Sequence, residues 1–157
     1  MSGTWPLARA ALQAKLNGLQ VTSTERQTET LQALEYSPAG RQDVLQWPYA
    51  FILPFAQHVR RLPPYQRIVE GQPVVRMMLA PMNQTEEMQV LQQRYDAWLE
   101  VLKDAFDSGI ALGGAADVAS TEQDFSGLIL FEEIDTGWGF DMTLGQFRLS
   151  ESKTFTA

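Results

Sequence analysis

Apolar positions in this 157-residue chain recur with two different periods, and the switches between them divide it into elements. Met88, Leu91, Tyr95, Trp98, Leu99, Leu102 and Phe106 fall at three- and four-residue intervals, which predicts a helix over about 84–108 with one continuous apolar stripe. Asn83 stands three residues before Glu86, a capping-box spacing, and Gly109 is placed to end the helix. Ala8, Leu12, Leu16 and Leu19 repeat the helical spacing over 4–19, where Thr4 is a candidate cap, Trp5 and Pro6 suit a first turn and Gly18 lies near the end.

The period drops to two at the other end of the chain. Trp138, Phe140, Met142 and Leu144 alternate with Gly139, Asp141 and Thr143, so 138–149 reads as a strand with one buried face. It pairs as a hairpin with 125–134 across Asp135-Thr136-Gly137, where Gly137 is expected to supply a positive φ. The aromatic run 47–59 reads as another strand, its odd-numbered positions from Trp47 to Phe55 sharing a face. Pro48 and Pro54 remove two ladder donors from it and suggest an edge or a bulge. A turn at Leu62-Pro63-Pro64-Tyr65 leads to a second strand region, 67–80, interrupted at Gly71-Gln72-Pro73. Residues 20–46 are polar and read as a long loop or arm, within which 29–35, with Leu31 and Leu34, forms a helical turn or a short strand. Residues 113–116 read as a flexible connection and 150–157 as a loose tail. The expected fold is a single α+β domain over 1–149: a small, mainly antiparallel sheet with a long helix and a short N-terminal helix packed on one face.

Length and composition narrow this further. A chain of 157 residues buries roughly 70% of its unfolded surface and needs no covalent staple. The absence of cysteine excludes disulfides, thiolate metal sites and a cysteine nucleophile. A net charge of −7 repels phosphate, which argues against nucleic-acid binding and suits a channel through which DNA passes without sticking. No apolar run approaches the ~20 residues of a membrane span, and 1–7 does not read as a signal peptide, so no membrane partner is expected and synthesis is expected to be cytosolic.

Candidate chemistry fails on placement. His58, the single histidine, is flanked by Gln57, Arg60 and Arg61, and reads as a surface residue at a strand end. Glu132 and Glu133 are adjacent on a strand and point to opposite faces. Asp135 and Asp141 flank a turn, where aspartates bond their own backbone. The glycines of 109–114 follow a helix and lack the Lys-Ser/Thr of a phosphate loop, and no loop alternates carboxylates as a calcium site does. The expectation is a protein that is not an enzyme and needs no cofactor or metal. Met77, Met78, Met82 and Met88 read first as core filling.

Charge offers more. Arg60, Arg61 and Arg67 cluster around the Pro-Pro turn, either a solvated hairpin tip or a docking loop. On the long helix Glu86, Glu87, Asp96, Glu100, Asp104 and Asp107 outnumber Arg94 and Lys103. Complementary patches of this kind suit a head-to-tail ring of copies, and equally keep a monomer soluble. The candidate partner-binding residues are therefore Arg60, Arg61, Arg67, Glu86, Glu87 and Glu100.

Taken in order, the short N-terminal helix with Pro6 to Leu12, the strand opening Trp47-Pro48-Tyr49-Ala50-Phe51, the strand ending at Met78-Leu79-Ala80-Pro81, the helix after that proline and the final hairpin resemble the tail terminator (tail completion) proteins of long-tailed phages. The likeness is one of pattern over most of the chain. It implies a ring, a hexamer in that family, that caps the head-proximal end of the tail tube, stops its polymerisation and presents a surface to the neck. The implied partners are other copies of the chain, the tail tube protein and a neck or connector protein, with genomic DNA only passing through. The implied location is the virion tail, after assembly in the host cytoplasm. Another connector, neck or tube component is the nearest alternative, and a small ligand-binding or enzymatic α+β domain is the alternative of a different class.

Overall fold

The computed structural model describes residues 5–22, 28–36, 47–54, 56–63, 66–82, 88–106, 117–118, 123–132, 136–145 and 147–152. Among these, two helices form, α1 (Trp5–Leu16) and α2 (Met88–Phe106). The strands in chain order are β1 (Gln20–Thr22), β2 (Thr28–Thr30), β3 (Gln32–Leu34), β4 (Tyr49–Leu53), β5 (Gln57–Leu62), β6 (Gln66–Gly71), β7 (Val74–Pro81), β8 (Asp117–Val118), β9 (Asp124–Phe125), β10 (Ile129–Phe131), β11 (Gly137–Thr143) and β12 (Phe147–Ser152). The fold is α+β, with antiparallel pairing throughout except between β3 and β4.

The larger sheet runs β10-β11-β7-β4-β3, and β9 continues the β10 edge along β11. Alternation along β4 directs Ala50 and Ile52 to one face and Tyr49 and Phe51 to the other. The first face meets both helices. Ala50, Ile52, Val75, Met77, Phe140 and Met142 share a core there with Ala8, Leu12 and Leu16 of α1 and Leu91, Tyr95, Trp98, Leu102 and Phe106 of α2. Lys15 of α1 lies over the Phe106 ring, 5.2 Å from its centroid, so the helices meet on that face. Burying five large side chains from α2 is worth ~1.5–3 kcal/mol apiece, which is why this helix anchors the layer. Tyr95 adds a polar tie, its hydroxyl donating to the Ser126 carbonyl at 2.6 Å.

The opposite face is apolar as well. Tyr49, Phe51 and Met78 are buried there, with Leu34, Tyr36, Trp47, Leu53 and Phe131 against them. Of the odd-numbered positions expected to share a face, Trp47, Tyr49, Phe51 and Leu53 do so, and Phe55 lies outside the described residues. β4 is not an edge, however, since it lies between β7 and β3. Pro48 precedes the strand and Pro54 ends it, so neither takes a donor from the ladder. The helix stripe holds from Leu91 to Phe106, while Met88 is 54% exposed and outside it.

Three further expectations need correction. Residues 20–22, 28–30 and 32–34 are strands rather than loop, and 23–27 lie outside the described residues. The backbone of 31–33 is stitched onto the residues that follow α1, with Leu31 N–H donating to Leu19 O at 2.8 Å, Gly18 N–H to Leu31 O at 2.9 Å, and Ala33 N–H to the Asn17 side chain at 3.1 Å. Gly18, at φ +89°, makes the reversal after α1 possible, and Leu31 is buried. Gly137 is not a turn residue but the first of β11, where a Cβ would lie 2.6 Å from the Ala80 carbonyl oxygen. The C-terminal tail begins later than expected, because 150–152 belong to β12, each paired with β6. Residues 37–46, 83–87, 107–116, 133–135 and 153–157, and with them the expected cap Asn83, the C′ residue Gly109 and the 113–116 connection, lie outside the described residues.

The second sheet, β5-β6-β12-β8, is an extension of the first. β4 is followed along the chain by β5, β6 by β7 and β11 by β12, and the three pairs of segments keep the same neighbours in both sheets. Leu144 N–H donates to Pro73 O at 2.9 Å between them. The ribbon's extensive contacts are among its own strands. Val69 alone of the described ribbon side chains belongs to the main core, and its partner Val59 is 47% exposed.

Candidate contact surface

The Arg60-Arg61-Arg67 cluster is carried on the β5–β6 hairpin of this ribbon, as its position around the Pro-Pro turn suggested. Among the described residues β5 forms one edge of the sheet, and its side chains from Gln57 to Arg61 are all exposed. The register sets Arg61 directly opposite Arg67, with Glu151 of β12 beyond Arg67. Like charges facing across a strand pair are individually unfavourable, which leaves this end of the ribbon basic.

Three pairs further from the tip the pattern reverses. Glu70 lies between His58 on β5 and Arg148 on β12. Its Oε1 accepts from Arg60 Nη2 at 2.8 Å and from Arg148 Nε at 3.3 Å. One carboxylate, 15% exposed, thus serves two guanidiniums that are each about half exposed. Burial pushes the Glu70 carboxyl up, but the hydrogen bond and charge of Arg60, followed by the charge and hydrogen bond of Arg148, outweigh it and hold the group below its usual 4.5.

The acidic counterpart on α2 is partly outside the described residues, which exclude Glu86, Glu87 and Asp107. What remains is a column of three exposed carboxylates four residues apart, Asp96, Glu100 and Asp104. Asp96 accepts from Gln92 at 3.1 Å and Glu100 from Lys103 at 3.2 Å, the latter an exposed pair of little energetic weight. Arg94 does not neutralise this column. It turns inward, donating to the Leu79 carbonyl at 2.9 Å and pairing with Glu29, whose other oxygen accepts the Trp98 indole N–H at 3.0 Å. The outward face of α2 is therefore more acidic than a residue tally of the helix indicates.

The remaining candidates for chemistry are dispersed. His58 is exposed on β5. Asp141 is held by Arg76 through two bonds, 2.8 Å from Nε and 3.1 Å from Nη2, and the same guanidinium stacks on Phe131 with its central carbon 3.9 Å from the ring centroid. Glu132 is exposed, while Glu133, Asp135 and the glycines of 109–114 lie outside the described residues. No group of three metal-ligating side chains converges among the described residues.

Sequence reasoning missed Glu70, Arg148 and the Glu29–Arg94–Trp98 cluster. The Glu70 contact had a signal: a hairpin turning at 63–65 pairs positions 58 and 70. The other two depend on contacts between elements distant along the chain. No family model matches the sequence, and no curated protein matches it either.

Proposed function

We propose that this protein works by surface contact as a structural assembly component, forming a ring of copies that caps the head-proximal end of a phage tail tube. In that role it ends tube polymerisation and joins the tail to the neck, in the virion tail after assembly in the host cytoplasm. The observation that carries the contact reading is the ribbon. Beside a doubly buried sheet, the same three neighbouring strands form an arginine-bearing ribbon whose outer strand, β5, is an exposed edge among the described residues. An edge strand left open is a liability unless it is guarded or used, and Arg60 and Arg61 guard it against indiscriminate pairing. The tail-terminator part of the reading rests on the order of elements, and the net charge of −7 suits a lumen that DNA traverses.

The test is native mass measurement together with electron microscopy of the protein alone and with assembled tail tubes. A closed ring, six copies by the likeness, and density at one tube end are expected. A strict monomer at high concentration with no affinity for tubes overturns the assignment.

A further inference from the structure

We infer that the contact between copies is head-to-tail, seating the β5–β6 ribbon of one copy on the outward face of α2 of the next. This rests on the self-assembly reading above and specifies its interface. Three of the twelve cations and one of the nineteen carboxylates of the chain fall between Gln57 and Gly71, so the hairpin carries +2 and the remaining chain −9. A separation of that size within one polypeptide selects the geometry of association. A two-fold contact pairing β5 with β5 brings the Arg60-Arg61 edge of one copy against the same edge of the other, which like-charge repulsion opposes. A contact between unlike faces removes that repulsion and sets opposite charges together.

The exposed carboxylates of α2 are the best-matched target. Asp96, Glu100 and Asp104 recur every four residues, a spacing of about 6 Å along the helix. Arg61 and Arg67 face one another across neighbouring strands, about 5 Å apart. The two patterns are close enough in pitch for flexible guanidiniums to meet successive carboxylates. Of the two cations on this helix, Arg94 is engaged on the inner side by Glu29 and Leu79 and Lys103 pairs with Glu100, so the outer column keeps a net charge of −2.

The test is a charge swap read by sedimentation velocity at low and high salt. Arg61→Glu preserves the hairpin, because it places a carboxylate opposite Arg67 while lowering the hairpin charge to zero. Glu100→Lys reverses the middle of the helix column at an exposed position. Circular dichroism checks that both variants keep the fold. Each single variant is expected to weaken self-association at least tenfold at low salt, and the two changes in one chain are expected to restore it. Association of the wild-type protein is expected to fall as salt screens the contact.

Unchanged self-association in the single variants, or no recovery in the double variant, overturns this interface while leaving a ring intact. Loss of tube binding in Arg61→Glu with self-association unchanged assigns the ribbon to another protein and overturns it equally. A wild-type monomer at low salt removes both the interface and the ring reading.

Discussion

Gly139 controls how closely β11 approaches β7, since a Cβ there would overlap the Met77 carbonyl oxygen. Gly139→Ala is expected to cost at least the ~1–3 kcal/mol of an overpacked core, measured by urea denaturation, because the obstructing atom is backbone and cannot rotate away. Glu29 makes a different kind of tie, from β2 to Arg94 and Trp98 of α2, with both ends of the ion pair mostly buried. Glu29→Ala, which leaves Arg94 without its carboxylate, is expected to cost about 3 kcal/mol by the same measurement. A value near zero would return 28–30 to the status of a loose segment. Glu70 is the residue for pH. Its carboxyl titrates below 4.5, so its contribution to the ribbon is present above that value and is lost as pH falls through the lowered one. Carboxyl NMR is expected to show late protonation of Glu70 and a concurrent rise in amide exchange along β5 and β12, which Glu70→Gln removes. These three residues differ in how visible they were. Gly139 stood out in the alternation but its purpose did not, because the crowding comes from a strand sixty residues earlier.

At the scale of elements, α2 was the most legible part, since five large side chains at helical spacing all go to one side. Trp98→Ala is expected to destabilise by about 3–5 kcal/mol and to take the Glu29 tie with it, read from the denaturation midpoint. The break between β4 and β5 was marked by Pro54, and that between β6 and β7 by Gly71-Gln72-Pro73. The short strands β1, β2 and β3 were not legible, because three residues are too few to show a period; β1 and β2 pair with each other, while β3 takes its partner, β4, from farther along the chain. β12 was half legible for another reason. Ser150, Glu151 and Ser152 belong to a ribbon that is largely outside the core, so its pairing leaves no apolar alternation to read. The basic half of the candidate surface could be found locally, whereas its Glu70–Arg148 buttress needed the register of a third strand.

For the whole molecule, the division between a buried sheet and an exposed ribbon is the main organising fact. Brief trypsin digestion is expected to cut at Arg61 or Arg67 before Arg76 or Arg94, which are held in the sheet–helix layer, as peptide masses will show. Assembly is expected to protect Arg61 and Arg67. Cutting that is equally fast with and without assembly would exclude the ribbon from the interface. The ribbon also differs from a tether in its mechanics. The same three strands are neighbours in both sheets, and Leu144 N–H bonds Pro73 O between them, so the ribbon is tied to the body of the protein by more than one chain connection, as a bracket is to its plate. In the assembly proposed above, where each copy would reach the next through such a bracket, its angle near Pro54, Pro73 and Gly145 would set the turn between neighbours, and so the circumference on which the series closes. Changes at that corner should then alter the number of copies in the circle before they alter the strength with which any two adjoin.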